Sequence, residues 1–249
     1  MKLNKKLLAT GVLAASMFAG QAWGAVSAEE AAKLGNSLTP MGAEKSGNGG
    51  AIPAWTGGLT TPPAGYKNDG IYVNPFPNEQ PKFTIDQSNV EQYKDNLSPG
   101  QVAMIERYDD YFMPVYETHR TAAYPQEVME QTVENATEVE LIKDGNGLGN
   151  YQSATPFPIP QNGLEAIWNH ITRYRGGSVQ RNVGQVTPTE GGDFSVVKFQ
   201  DELTWRTYLA DYEPGMDPNV LFYFKQAITA PARLAGNVLL VHETIDQVA

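Results

Sequence analysis

At Ser178 the hydrophobic period of this chain changes, and that change limits what the rest can fold into. Before Ser178 apolar residues recur mainly at three- and four-residue intervals; after it they alternate. Ser178–Val186 and Phe194–Trp205 read as strands joined by a hairpin-like turn at Thr189-Glu190-Gly191-Gly192. In the second, Val197, Phe199, Leu203 and Trp205 share one face, interrupted by Asp201. Val220–Thr229 follows, with Val220, Phe222, Phe224 and Ile228 on one face and Leu221 and Tyr223 on the other. Pro231 to Gly236 breaks the pattern before Asn237–Ile245 resumes it. Short turns rather than crossover helices join these strands, so the sheet is expected to be antiparallel. An apolar strand left unpaired at an edge is an aggregation hazard, so the sequence is expected to be truncated or to need further strands from elsewhere.

The preceding stretch reads as helical. Ser88-Asn89-Val90-Glu91 and Ser98-Pro99-Gly100-Gln101 have capping-box spacing. The first would open a short helix carrying Val90, Tyr93 and Leu97, the second a helix carrying Val102, Ile105, Tyr108 and Phe112. Pro125 starts another, with Val128, Thr132, Val133 and Ala136 inward. Asn162 caps a fourth, in which Leu164, Ile167, Trp168 and Ile171 form the apolar stripe. Upstream, Ser27 and Glu30 mark a short helix that Gly35 can end. Pro40 to Pro81 holds 8 glycines and 7 prolines in 42 residues and shows little periodicity. An extended arm is expected there, lying on the body and burying Trp55, Tyr66, Ile71, Tyr72 and Phe76 one at a time.

The N-terminus reads as an export leader. Lys2, Lys5 and Lys6 precede an apolar run from Leu7 to Ala19, too short to span a bilayer, and Ala22-Trp23-Gly24 offers a cleavage site. The expected division is a leader over 1–24, an arm over 25–82 and an α+β domain over 83–249. Removing the three leader lysines takes the net charge from −10 to −13, which opposes nucleic acid and anionic membrane surfaces as partners. With no cysteine, disulfides, thiolate metal sites, cysteine nucleophiles and a lipid anchor through cysteine are excluded.

Catalytic and metal signals are weak. His119, His170 and His242 are scattered, and His242 and Glu243 face opposite sides of a strand. No Gly-x-Ser-x-Gly elbow occurs. Asp144 to Asn150 resembles a calcium loop only superficially: Leu148 and Thr155 occupy its fifth and twelfth positions, so it reads as a Gly-rich turn between strands. The carboxylates Asp109-Asp110, Glu138, Glu140 and Asp201-Glu202 fit a solvated surface, although a glycosidase-type pair needs only two at the right distance. Arg173, Tyr174 and Arg175, joined by Arg181, form a basic and aromatic knot suited to surface ion pairs or to gripping an acidic headgroup or a partner.

Three blocks, in order, carry a family likeness. They are Leu38–Lys45 with Ile52–Gly58, Pro156–Pro160 with Asn162–His170, and Thr229–Gly236 with Leu239–Glu243. Together they resemble a family of Gram-negative exported proteins catalogued as domain of unknown function 1329, similar to the periplasmic lipoprotein-localisation carriers. The resemblance implies an α+β fold with a curved antiparallel sheet, a half-barrel covered by helices, sheltering acyl chains in an apolar cavity. It also implies lipid or lipoprotein acyl chains as partners, with an export machine of the envelope as a further one. By periodicity alone Phe199, Leu203, Trp205, Phe222 and Phe224 fit an ordinary core packed on Trp168 and Ile171; the resemblance makes them candidate ligand-binding residues. The leading expectation is a periplasmic, non-enzymatic carrier or chaperone of lipids or lipid-modified clients, with no cofactor and no metal. Its rivals are a periplasmic hydrolase using carboxylates and a non-catalytic envelope scaffold.

Overall fold

The computed structural model describes residues 25–214, 216 and 219–245. The leader expected over 1–24 lies outside them. The chain mixes helices with three antiparallel sheets and divides into two compact units. The smaller takes in Asn36–Thr39 and Glu44–Tyr124; the larger takes in Pro40–Ala43 and Pro125–Ala249 with the segment up to Gly35.

In the smaller unit, β1 (Phe83–Ile85) pairs with β2 (Met113–Val115). Between them lie a 3₁₀ helix over Val90–Asn96 and an α-helix over Pro99–Arg107, numbered α2 below. The second capping box forms as spaced: Ser98 Oγ accepts from Gln101 N, and Gln101 Oε1 accepts from Ser98 N. The first does not. Asp86 takes both the amide and the hydroxyl of Ser88, and Asn89, whose amide side chain is spent on Thr84 and Asp86, becomes the cap position. Ile85, Val90 and Ile105 form this unit's core, while Tyr108 and Phe112 are exposed because α2 ends at Arg107.

Residues 44–82 hold no helix, and polar bonds tie them, with one ring stack of Phe76 on His119. Arg120 donates to the carbonyls of Glu44 at 2.7 Å, Lys45 at 3.3 Å and Pro53 at 3.4 Å; Trp55 Nε1 donates to Ala122 O at 3.0 Å. Gly58, at φ +113° for its neighbour Gly57 and +77° for itself, runs so close to Ala122 that a Cβ would meet its carbonyl. Trp55 and Phe76 are partly covered, but Ile71 and Tyr72 are 70% and 93% exposed. The expectation that the arm buries each large side chain fails at Tyr66, Ile71 and Tyr72, all exposed in a stretch where Ile71 N bonds Asp69 Oδ1 in an Asx turn.

The larger unit begins with α1 (Ala28–Ala31), capped by Ser27, and α3 (Gln126–Glu138). Val128, Thr132 and Ala136 of α3 are buried, but Val133 is exposed and Asn135 takes the inward place, donating to the carbonyls of Ser153 and Thr155. The Gly-rich turn expected from Asp144 to Asn150 is only partly a turn: Lys143–Gly145 is one 3₁₀ turn, and Gly147–Gly149 forms β4, paired antiparallel with β3 (Glu140–Ile142). Helix α4 (Gly163–Ile171) is capped by Asn162, whose Oδ1 accepts from the amides of Leu164 and Glu165. Its buried stripe is not the expected one: Leu164 and Ile167 are exposed, while Glu165, Trp168 and Thr172 are buried. Glu165 is drawn inward because its carboxylate closes the helix start, accepting from Gln161 N at 2.6 Å and Asn162 Nδ2 at 2.7 Å.

Strands β5 (Ser178–Pro188), β6 (Phe194–Trp205), β7 (Val220–Ala230) and β8 (Val238–Thr244) form an open meander in that order, not closed into a barrel. All three pairings are antiparallel. A bulge between Val220 and Phe222 turns Leu221 into the core, correcting its expected place beside Tyr223. Strand β8 occupies one edge, with Val238, Leu239, Leu240 and Val241 all exposed.

The ties at Arg120 make a prediction about the segment that lacks regular structure. Brief proteolysis of the wild type should cut first near Ile71 and Tyr72, leaving 44–58 protected. In Arg120→Ala, cleavage within 44–58 should become equally fast, as read by mass spectrometry of the early fragments.

Candidate functional site: the two faces of the open sheet

Side-chain alternation sorts the sheet into two faces. The core face carries Trp205 opposite Phe222, and Leu203 opposite both Val179 and Phe224. Leu203, Trp205 and Leu221 join Trp168, Tyr151, Phe157, Val139, Leu148 and Ile245 in one buried cluster, and Phe222, Phe224, Val179 and Ile171 pack against it. The rings of Trp205 and Phe222 meet edge-on with centroids 5.4 Å apart. The indole of Trp168 donates to Gly145 O at 2.9 Å, locking α4 to the β3–β4 turn. The loop before α4 is fixed by Asn169, which accepts from Phe157 N and donates to Phe157 O. That pair accounts for the Pro-rich segment preceding the helix: its φ-restricted residues place Phe157 in the core, and Asn169 satisfies its backbone.

A polar belt crosses the core face one residue pair further along. Arg181, Asp201 and Gln226 stand directly opposite one another on three adjacent strands. Asp201 is 3% exposed; its Oδ2 accepts from Arg181 Nε at 3.0 Å and its Oδ1 from Gln226 Nε2 at 3.0 Å. Beyond the belt the face turns apolar again with Val183, Phe199 and Ile228, which also align across the strands and are half-buried. Leu239, opposite Gln226, and Val241, opposite Phe224, continue this apolar surface onto β8 at 54% and 39% exposure. All five candidate ligand-binding residues therefore share one face. Leu203 and Trp205 lie inside the packed cluster, Phe222 and Phe224 against it, and Phe199 across the belt from it.

The other face carries a concavity of about 750 Å³ lined by strand residues alone. Since Val179, Leu203 and Phe224 turn to the core, their backbone forms its floor. Its walls are the row Ser178, Thr204, Tyr223, His242 and the row Gln180, Glu202, Lys225, Leu240. Glu202 accepts from Lys225 Nζ at 3.1 Å and Gln180 Nε2 at 3.2 Å, which hold its carboxyl below the usual range, Lys225 first. It is the one carboxylate among the groove's lining residues, so a two-carboxylate hydrolytic site has no second member there. Sequence reading found neither this groove nor the belt's partners: Asp201 stood out as a break in the alternation, but strand register alone shows what binds it.

The other groups singled out by sequence are dispersed. His119 Nε2 lies 2.8 Å from Glu79 and stacks on Phe76; His170 contacts Arg173; His242 meets Tyr223 edge-on. Among the described residues no group of three His, Asp or Glu could hold a metal ion, and no helix is long and apolar enough to cross a membrane.

The two environments on the core face predict different responses to truncation. Leu203→Ala should cost about 2–5 kcal/mol, because a void replaces packed atoms. Phe199→Ala, beyond the belt, should cost about 1 kcal/mol, the partial loss of one covered side. Urea unfolding of both variants against the wild type measures the difference.

Comparison with known proteins agrees with the blocks noted above. Over its whole length the chain is 61% identical to the uncharacterized protein PA3922 of Pseudomonas aeruginosa. It covers 55% of that relative, so it spans about half the length of the curated protein it matches. No solved structure matches it. The model of the family described as "Protein of unknown function (DUF1329)" matches residues 84–249, which include α3, α4 and the four-stranded meander, and to that family the chain belongs.

Proposed function

We propose that this protein is an exported, non-enzymatic carrier that shelters acyl chains on the core face of its open sheet, in the manner of the periplasmic lipoprotein-localisation carriers. The observation behind this reading is the apolar surface formed by Val183, Phe199, Ile228, Leu239 and Val241, contiguous with the packed core but outside it. Such a surface binds by removing hydrocarbon from water, at about 0.8 kcal/mol per buried methylene, and needs no reacting group. A chain laid along three adjacent strands, each about 4.8 Å from the next, would cover the row from Val183 to Ile228. The helices then act as a fixed wedge at one end of a half-barrel-like sheet, and the apolar end stays open to a client. Export by the leader would place the protein between the inner and outer membranes, where lipids and lipid-modified proteins need a water-soluble escort.

The test is native mass spectrometry and organic extraction of protein purified without detergent, followed by titration with a fluorescent fatty acid. The wild type should carry or bind acyl molecules at about one per chain, and Phe199→Asp should lose them while keeping a near-normal melting temperature. A wild type that neither carries lipid nor binds the probe contradicts the carrier reading.

A further inference from the structure

Arg173 and Arg175 lie in the segment that joins α4 to β5, and Arg181 lies in β5 on the belt, near enough for its charge to act on Arg175. Arg173 donates to His170 O at 2.6 Å and Arg175 Nη2 to Ile171 O at 3.2 Å, so both bond to backbone at the end of α4. Neither has an ion-pair partner among the described residues. Gly176 and Gly177 then lead into β5; Gly177 O accepts from Trp205 N, and Arg181 lies three residues past Ser178 on the core face. The Nε of Arg175 is buried with no hydrogen-bond partner, an expensive condition for a cationic donor. Burial, and after it the positive charges of Arg173 and Arg181, hold Arg175 below the ordinary arginine range. Arg181 has its Nε on Asp201, leaving the rest of its side chain 58% exposed. Among the described residues, the acid ion-paired to this cluster is Asp201, whose two oxygens are already taken by Arg181 and Gln226.

We propose that Arg175, with Arg181 beside it, binds the anionic headgroup of an amphiphile, a carboxylate or phosphate, whose acyl chain runs over Val183, Phe199 and Ile228. The inference rests on the carrier reading and adds the chemical class of its ligand. The Arg181 guanidinium, 58% exposed, can face either anion, and an anion there would relieve the repulsion that Arg173 and Arg181 exert on Arg175. Arg181 sits between Val179 and Val183 on the same strand face, so a headgroup held there leaves its chain next to the apolar row. The net charge of the chain opposes general attraction of anions, so selectivity for them would come from this cluster alone.

The experiment titrates the full chain with oleate, oleyl alcohol and inorganic phosphate, each competing with a fluorescent acyl probe. Oleate should bind about tenfold more tightly than oleyl alcohol, and Arg175→Met should erase that gap while leaving the alcohol unchanged. Phe199→Asp should weaken both. If Arg175→Met does not fold, Arg175→Lys reads the same gap: narrowing supports the proposal, and an unchanged gap opposes it. Equal binding of oleate and alcohol by the wild type overturns the headgroup site and leaves the carrier reading standing. Binding of phosphate with no binding of either amphiphile overturns both.

Discussion

A carboxylate buried in the middle of a sheet needs partners on both sides, and Asp201 obtains them only if β5, β6 and β7 hold one register. Its two oxygens take Arg181 from one neighbouring strand and Gln226 from the other. A slip by one residue in either pairing would turn the partner to the opposite face and leave the charge unpaired away from water. A slip by two would place Val179 or Val183, Phe224 or Ile228 opposite it, with no donor to offer. The belt therefore fixes the alignment on which both faces depend. It also divides the core face. On one side Trp205, Leu203, Phe222 and Phe224 meet Trp168 and its neighbours; on the other Val183, Phe199 and Ile228 lie outside that cluster.

The wedge of helices is held as firmly as the sheet. Trp168 is tied to Gly145, Asn169 to Phe157 and Glu165 to its own helix start. Arg206, at the end of β6, donates to Tyr151 O at 3.0 Å within the same buried region. These bonds satisfy polar groups that would otherwise oppose packing, and they leave little freedom for α4 to slide along the sheet. An amphiphile entering from the open end would thus meet a preformed floor, and its affinity would come from covered hydrocarbon and from charge at the rim rather than from reorganisation. Two glycines, Gly176 and Gly177, make the turn from α4 into β5 short. Gly177 approaches the ring of Tyr208 so closely that any side chain there would collide with it.

Much of the fold was legible where local rules decide it. Alternation located the four strands to within a few residues, and Ser98, Asn162 and Ser27 capped the helices they were expected to cap. Three of the failures share a cause: a polar side chain spent on local hydrogen bonds instead of the role its spacing indicated. Asp86 captures Ser88, Glu165 rotates the stripe of α4 away from Leu164 and Ile167, and Asn135 displaces Val133. The bulge at Leu221 is likewise invisible to a period of two, since it shifts the count by one residue. Periodicity grouped Phe199, Leu203 and Trp205 on one face of β6 and Phe222 and Phe224 on one face of β7; the register joins the two groups. Periodicity could not separate Leu203 and Trp205, in the packed cluster, from Phe199 beyond Asp201, because burial depends on how far the helices reach along the sheet.

The central claim, that acyl chains lie on the core face beyond the belt, is tested most directly by photo-crosslinking with a diazirine fatty acid. Labelled peptides, sequenced after digestion, should carry the adduct at Val183, Phe199, Ile228 or Leu239, and unlabelled fatty acid should compete it away. Labelling confined to the opposite groove, at Tyr223, Lys225 or His242, or labelling that competitor does not reduce, would contradict it.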